Sequence, residues 1–419
     1  MLSGLLPSVS FILLGKIALI ISVISRSDCP GPAKEEAAMA RVRCLMMQRD
    51  ETLLLEAWFR YYGYLFGFEN LCVFDNNSTD PTVIEILKTY ERAGADIHWG
   101  HNRPEDYLGR NEHFKNVIRH WDSGGHYDFV LPLDCDEFLA VFTEDGLSCS
   151  RKSIHAAFDA LLGDRRAFEI QSMLFNVPSR PGYFRPEPHL RTFLAADTLD
   201  NMDFGFQGCS SRLSRDRRIT DFTFIHMHNK PFSSLLQHTR YKLEKVVPLD
   251  NPKILAGYHG PEARLIRYLG MKEGDYLQQF GNGVFLRFQG LADLMPALGI
   301  TDRYLTEEPS EKSESTSGID FIDVSKGRVT NTISFNPAGY LRLNPDVMAA
   351  GIPPLRHYIT HGREEGRIFA EKVSGDEPLT TIPSNSASRL TVPQKKSTRS
   401  KKTIPKGLAR QPRKKPATP

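Results

Sequence analysis

The chain has 419 residues, 40% hydrophobic and 25% charged, with 53 Lys and Arg against 50 Asp and Glu for a formal net charge of +3. That balance is one of a mostly soluble globular protein with one large core or two smaller ones, and it excludes a wholly disordered chain. The charge is uneven: residues 371–419 carry 12 Lys/Arg against 3 Asp/Glu, so the remainder is acidic and nucleic acid is not expected as a partner.

Residues 5–25, LLPSVSFILLGKIALIISVIS, are strongly apolar but carry Lys16 at their centre and barely reach the roughly 20 residues that a membrane span needs. They form a candidate anchor. Arg26, Lys34, Arg41 and Arg43 follow, which by the positive-inside rule places the body on the cytoplasmic face of a membrane. The cysteines, Cys29, Cys44, Cys72, Cys135, Cys149 and Cys209, show no C-x-x-C pair and no disulfide framework, as expected for reduced, buried thiols.

From residue 41 strands and helices alternate: RVRCLMM, then ETLLLEAWFRYYGYLFG, LCVFDNN, PTVIEILKTYERAG, ADIHWG, PEDYLGRNEHFKNVIRHW and YDFVLPLDCDEF. This order predicts an α/β fold, a sheet flanked by helices. Further on, SIHAAFDALLG reads as a helix and AFEIQSMLF as a strand. A Pro-rich connection then leads to FGFQGCSSRLS and TDFTFIHMH, both strand-like, and to the amphipathic helix PFSSLLQHTRYKLEKV. The expected divisions are an apolar segment and linker at 1–40, a main domain at 41–305, a polar linker at 306–330, a small helical module at 331–370 and a disordered basic tail at 371–419.

Ligands of open α/β sheets bind beyond the carboxyl ends of the strands, and those ends here carry Asp50-Glu51, Asp75-Asn76-Asn77 and Asp134-Cys135-Asp136. Burying an unpaired carboxylate is costly, so an apolar strand ending in Asp134, Asp136 and Glu137 must meet water, a cation or a ligand. Strand alternation would put Asp134 and Asp136 on one side, where two carboxylates suit a hard divalent cation. His226 and His228 likewise share a face of TDFTFIHMH, and imidazole is an acceptable metal ligand.

The stretch MMQRDETLLLEAWFRYYGYLFGFENLCVFDNNSTDPT together with LPLDCDEF resembles the family 2-like glycosyltransferases of the GT-A fold, in particular a bacterial group with an RDE…DN-S-D opening. The likeness covers about residues 41–245. The segment FNPAGYLRLNPDV…PLRHYITHGREEGR resembles a short module appended to bacterial polysaccharide glycosyltransferases. The resemblance implies a GT-A mixed sheet and a metal-dependent, inverting transfer of a sugar from a nucleoside diphosphate sugar, UDP-sugar foremost, to a glycan or lipid-linked acceptor in cell-surface polysaccharide synthesis. It further implies that Asp50, Glu51 and Asp75 hold the base and ribose, that Asp134 and Asp136 hold Mn2+ or Mg2+ and the sugar nucleotide, and that Glu137 orients them. His226 or His228 would complete the metal site, and Lys230 and Lys242 would neutralise the diphosphate. An inverting transfer also needs a general base. Asp197, Asp200 and Asp203 are the clustered carboxylates of the acceptor region. The competing reading is a non-catalytic carbohydrate-binding or assembly module on the same fold.

Overall fold

The computed structural model describes residues 39–244, 246–260, 262–301 and 318–367. The apolar segment 5–25 and the tail 371–419 lie outside these residues, and no helix among the described residues is long and apolar enough to cross a membrane.

The first half follows the expected alternation: β1 (Val42–Gln48), α1 (Leu55–Phe66), β2 (Leu71–Asp75), α2 (Pro81–Arg92) and β3 (Asp96–His98). Helix α2 begins where the Asp80 carboxylate accepts from the backbone N–H of Thr82 at 2.8 Å and of Val83 at 3.3 Å, with Pro81 supplying a preset φ. The helix expected at 104–121 is instead two, α3 (Pro104–Leu108) and α4 (Arg110–Gly124), because Gly109 interrupts it. Strand β4 (Phe129–Leu133) closes the parallel part, in which β1 lies between β2 and β4 and pairs Gln48 with Asp75 and Met46 with Leu133. Alternation along β1 feeds both faces of the sheet. Cys44 and Met46 enter a core with Trp58, Tyr62 and Phe129, while Leu45 and Met47 enter another with Phe74, Phe114 and Trp121.

The rest of the sheet is mixed. It comprises β5 (Glu137–Thr143), β6 (Gly146–Ser148), β7 (Ala167–Val177) and β8 (Arg180–Ala195), with helix α5 (Arg151–Asp159) after β6. There follow the small β9 (Leu199–Asn201) and β10 (Ser210–Ser211) pair, then β11 (Arg217–Ile219), β12 (Phe222–His226), helix α6 (Phe232–Leu243) and β13 (Gly283–Phe288). The order β3-β2-β1-β4-β8-β7-β12-β5-β6 runs through a sheet of 13 strands, that is, a mixed α/β sheet of the Rossmann-like GT-A kind.

Three expectations need correction. The Pro-rich connection is the 16-residue strand β8, whose Pro186 and Pro188 face Leu174 and Ser172 of β7 beside a register shift that absorbs part of the lost ladder bonding. FGFQGCSSRLS is mostly a loop. Its Phe204 carbonyl accepts from the Arg110 side chain, and its Phe206 carbonyl accepts from the N–H and hydroxyl of Thr192 at a single point on β8. Finally, the expected polar linker falls partly outside the described residues, and its described part enters β14 (Ile319–Ser325) and β15 (Arg328–Ser334), which extend the sheet from β13. In the helical segment after it, Phe335, Tyr340, Val347, Leu355 and Tyr358 share one apolar cluster with residues of β1, β4 and β5.

Candidate functional site

Strand β4 ends at Leu133, and the turn Asp134–Asp136 leads straight into β5. The two carboxylates are therefore set by a turn and not by strand alternation, although Cys135 does pack into the core between them. Antiparallel pairing of β5 with β12 sets Glu137 opposite His226, and the Met227 N–H donates to the Asp136 carbonyl at 2.7 Å. A contact across 90 residues of sequence is thus fixed by ladder register. The His226 Nδ1 faces the Met173 sulfur at 3.2 Å, which leaves Nε2 toward Asp136 Oδ1 at 3.4 Å. The ligand-type atoms of Asp136, His226 and His228 all lie within 4.8 Å of one another.

Asp134 is not one of that group. Arg110 donates to its Oδ1 at 2.8 Å and Arg191 to its Oδ2 at 2.6 Å. Both oxygens are thus engaged by guanidinium, and Asp134 is not among the ligand-type atoms grouped with Asp136. Arg191 also donates through Nε to Glu137 Oε1 at 2.8 Å, and the other Glu137 oxygen accepts from the Asp134 N–H at 3.0 Å. Arg110 is itself held between Phe204 and Phe206, each ring centroid 4.5 Å away.

The electrostatics follow from these pairings. Burial would raise the Asp134 carboxyl, but Arg110 and Arg191 outweigh it and hold the group below its usual range. Burial likewise acts upward on Asp136 and is outweighed by His226, Lys230 and His228. Glu137, fully enclosed, goes the other way: burial raises it despite Arg191. Burial would lower His226, yet Asp136 raises it, whereas desolvation by the surrounding protein and then the His226 charge push His228 down to about 4.

Lys230 reaches Glu51 at 2.6 Å, and burial that would discharge it is overcome by Glu51 and Asp136. The turn before it is clamped by Asn176 and Asn229, whose side chains and backbones bond reciprocally at 2.7–2.9 Å. Asp50 and Asp75 are engaged inside the protein. Asp50, with φ of 49°, accepts from the N–H of Thr79 at 2.6 Å and of Asp80 at 2.9 Å; Asp75 accepts from Gln48 and from the Ser78 hydroxyl, each at 2.6 Å. Both shape the β1 and β2 ends. Lys242 lies 3.5 Å from Glu262.

The three candidate bases separate. Asp197 is exposed beyond Ala195, which pairs with Phe129 at the amino end of β4, so it lies at the far end of that strand from Asp134. Asp200 is exposed and accepts from Ser210 at 2.9 Å. Asp203 accepts from the Gly208 N–H at 2.8 Å, and its loop continues into Phe204 and Gly205, whose carbonyls accept from Arg110 and Arg191. Sequence reasoning missed both arginines. The available signal was Arg191, two residues before the apolar Phe193 and Leu194 of β8, since an arginine entering a buried strand requires an acceptor.

The fold and the position of these groups define an α/β chain with polar side chains gathered at the carboxyl ends of β1 and β4. No protein-family model matches the chain, and no curated protein matches it. Among solved structures it aligns with the crystal structure of S. aureus TarS at 10% identity and a TM-score of 0.27, over 80% of this chain and 57% of that one. With the crystal structure of S. aureus TarS 1-349 the figures are 9% identity, a TM-score of 0.26, and 80% and 94% coverage. The chain thus spans 57% of the longer TarS chain. Likeness this slight leaves the function to be argued from the chain's own residues.

Proposed function

We propose that the chain is a metal-dependent glycosyltransferase that moves a sugar from a nucleoside diphosphate sugar, a UDP-sugar foremost, to a glycan or lipid-linked acceptor at the cytoplasmic face of a membrane. The observation that carries this reading is the convergence of Asp136, His226 and His228 within 4.8 Å beside the arginine-held Asp134. A carboxylate and two imidazoles suit Mn2+, and their mixed oxygen and nitrogen donors fit it better than Mg2+, which prefers oxygen alone. When bound, the cation would supply charge neutralisation for the departing diphosphate.

The chain's own residues do the rest. Lys230 supplies a second positive charge near the phosphates, and Glu51 holds it in place until they arrive. Arg110 and Arg191 keep the Asp134 carboxylate ionised and fixed, able to accept from a ribose hydroxyl through a remaining lone pair. Asp203, on the loop that reaches these arginines, takes the acceptor hydroxyl proton as the acceptor oxygen bonds to the anomeric carbon and the bond to the diphosphate oxygen breaks.

The test is transfer or hydrolysis from a panel of UDP- and GDP-sugars in Mn2+ and in EDTA, with a thermal-shift screen of the same ligands. Turnover that needs Mn2+ supports the reading. The absence of both turnover and nucleotide binding contradicts it and favours the carbohydrate-binding alternative.

A further inference from the structure

On the sheet face covered by α4, the adjacent strands β2 and β3 place Cys72 directly opposite Asp96, and His98, two residues on, projects to the same side. The thiol sulfur, a carboxylate oxygen and an imidazole nitrogen lie within 4.8 Å of one another, with His98 Nε2 3.1 Å from Asp96 Oδ2. Cys72 is 1% exposed, whereas the Asp96 side chain is 55% and the His98 side chain 31% exposed, so the group has a closed side and an open side. His98 is stacked on Phe74, centroids 4.4 Å apart and planes 19° from parallel, which restricts its ring. β1 lies between β2 and β4, so at about 4.8 Å per strand Cys72 stands roughly 10 Å across the sheet from the strand that runs into Asp134–Asp136, and this group is separate from the one at Asp136.

We propose that Cys72, Asp96 and His98 form a second metal site, one for a borderline-soft divalent cation such as Zn2+ or Co2+. One thiolate, one imidazole and one carboxylate are the donors that such a cation takes, and an open fourth position on the Asp96 side is left for water. Burial, and then the Asp96 charge, raise the Cys72 thiol, while Arg43, stacked on Trp121 at 4.7 Å, acts the other way. The cation would displace the thiol proton and replace the hydrogen bonding that the three groups otherwise satisfy among themselves. The site stands independently of the glycosyltransferase reading, because it shares no residue with it.

The two sites differ in a way that spectroscopy reads. The group at Asp136 contains no sulfur, and each other described cysteine lies outside both ligand groups. Titrating Co2+ alone into the metal-stripped full chain is expected to raise a thiolate-to-cobalt charge-transfer absorption whose final amplitude corresponds to one thiolate-bound Co2+ per chain. Cys72→Ser should abolish it, His98→Gln should weaken Co2+ binding by about a hundredfold, and Asp136→Asn should leave it unchanged. Because Cys72 is a core residue, His98→Gln carries the test if Cys72→Ser fails to fold. No charge-transfer band in the parent, a band that survives in folded Cys72→Ser, or an unweakened band in His98→Gln overturns the proposal and leaves the three side chains as a hydrogen-bonded network.

Discussion

Arg191 donates to Asp134 and to Glu137 at once, and Glu137 has no exposure to solvent. Replacing it by Met would leave an enclosed carboxylate without its cation, which typically costs about 3–5 kcal/mol. Urea unfolding of Arg191→Met is expected to show that loss, and Arg191→Met with Glu137→Gln should recover part of it; a parent-like midpoint in the single variant would mean that Arg191 does not stabilise Glu137. Asp136→Asn tests a different role, since an amide keeps the shape and loses the charge that a cation needs. Its Mn2+-dependent turnover should fall by at least about a hundredfold, an activation loss of roughly 2.7 kcal/mol, with the fold retained. Parent-like turnover would remove Asp136 from the metal. Spacing made Asp134, Asp136 and the histidine pair legible in the sequence, because each pair lies within three residues. The arginines were not legible. Arg110 meets Asp134 across 24 residues and Arg191 across 57, and no local pattern records such a pairing.

Helix α1 is tied to the site by Tyr62, whose hydroxyl donates to the Glu137 carbonyl at 2.8 Å and accepts from the Leu139 N–H at 3.1 Å. Tyr62→Phe leaves both backbone groups enclosed and unpartnered, so a loss of about 1–3 kcal/mol in thermal or urea unfolding is expected, while a parent-like stability would mean that water takes the place of the hydroxyl. The first four strands were readable as elements since their apolar runs and helix caps are local. Strand β8 was not, because its prolines and its polar Arg185, Glu187 and His189 carry the composition of a loop, and pairing with β7, β4 and β13 makes it a strand. The same holds for β14, whose Ile319, Phe321 and Ile322 follow a polar stretch but gain their burial from β13.

Taken whole, the metal-free molecule should lose stability as pH falls from 6.5 toward 4. Burial, helped by Arg191, pushes His189 down to about 4, burial and His226 push His228 to about 4, and burial and Lys242 push His238 to about 3. Their unfolded counterparts take up protons near 6.5, so in this window the unfolded chain binds more protons, and what these three contribute is present above 6.5 and lost below it. His226 has the opposite sign, because Asp136 raises it against burial, and its contribution is present below 6.5 and lost as pH rises through its folded value. His101 and His357 are lowered as well, while the enclosed Glu137 and the half-buried Glu187 are raised and act with His226. Five lowered histidines against these three favour a falling urea midpoint between pH 7 and pH 5 in EDTA, and a flat or rising midpoint would show that His226 and the two glutamates dominate. The apolar segment 5–25 bears on where the molecule works: deleting residues 1–30 should release it from membranes with its activity kept, and a full-length protein already in the soluble fraction would exclude an anchor there.

The central claim is that Asp136, His226 and His228 hold a cation that a nucleoside diphosphate shares. Calorimetric titration of UDP into the full-length protein tests it most directly. UDP should bind in Mn2+ and about tenfold or more weakly in EDTA, a difference of about 1.4 kcal/mol or more, and Asp136→Asn in Mn2+ should match the parent in EDTA. UDP affinity that is the same in Mn2+ and in EDTA, or no UDP binding in either, would contradict it.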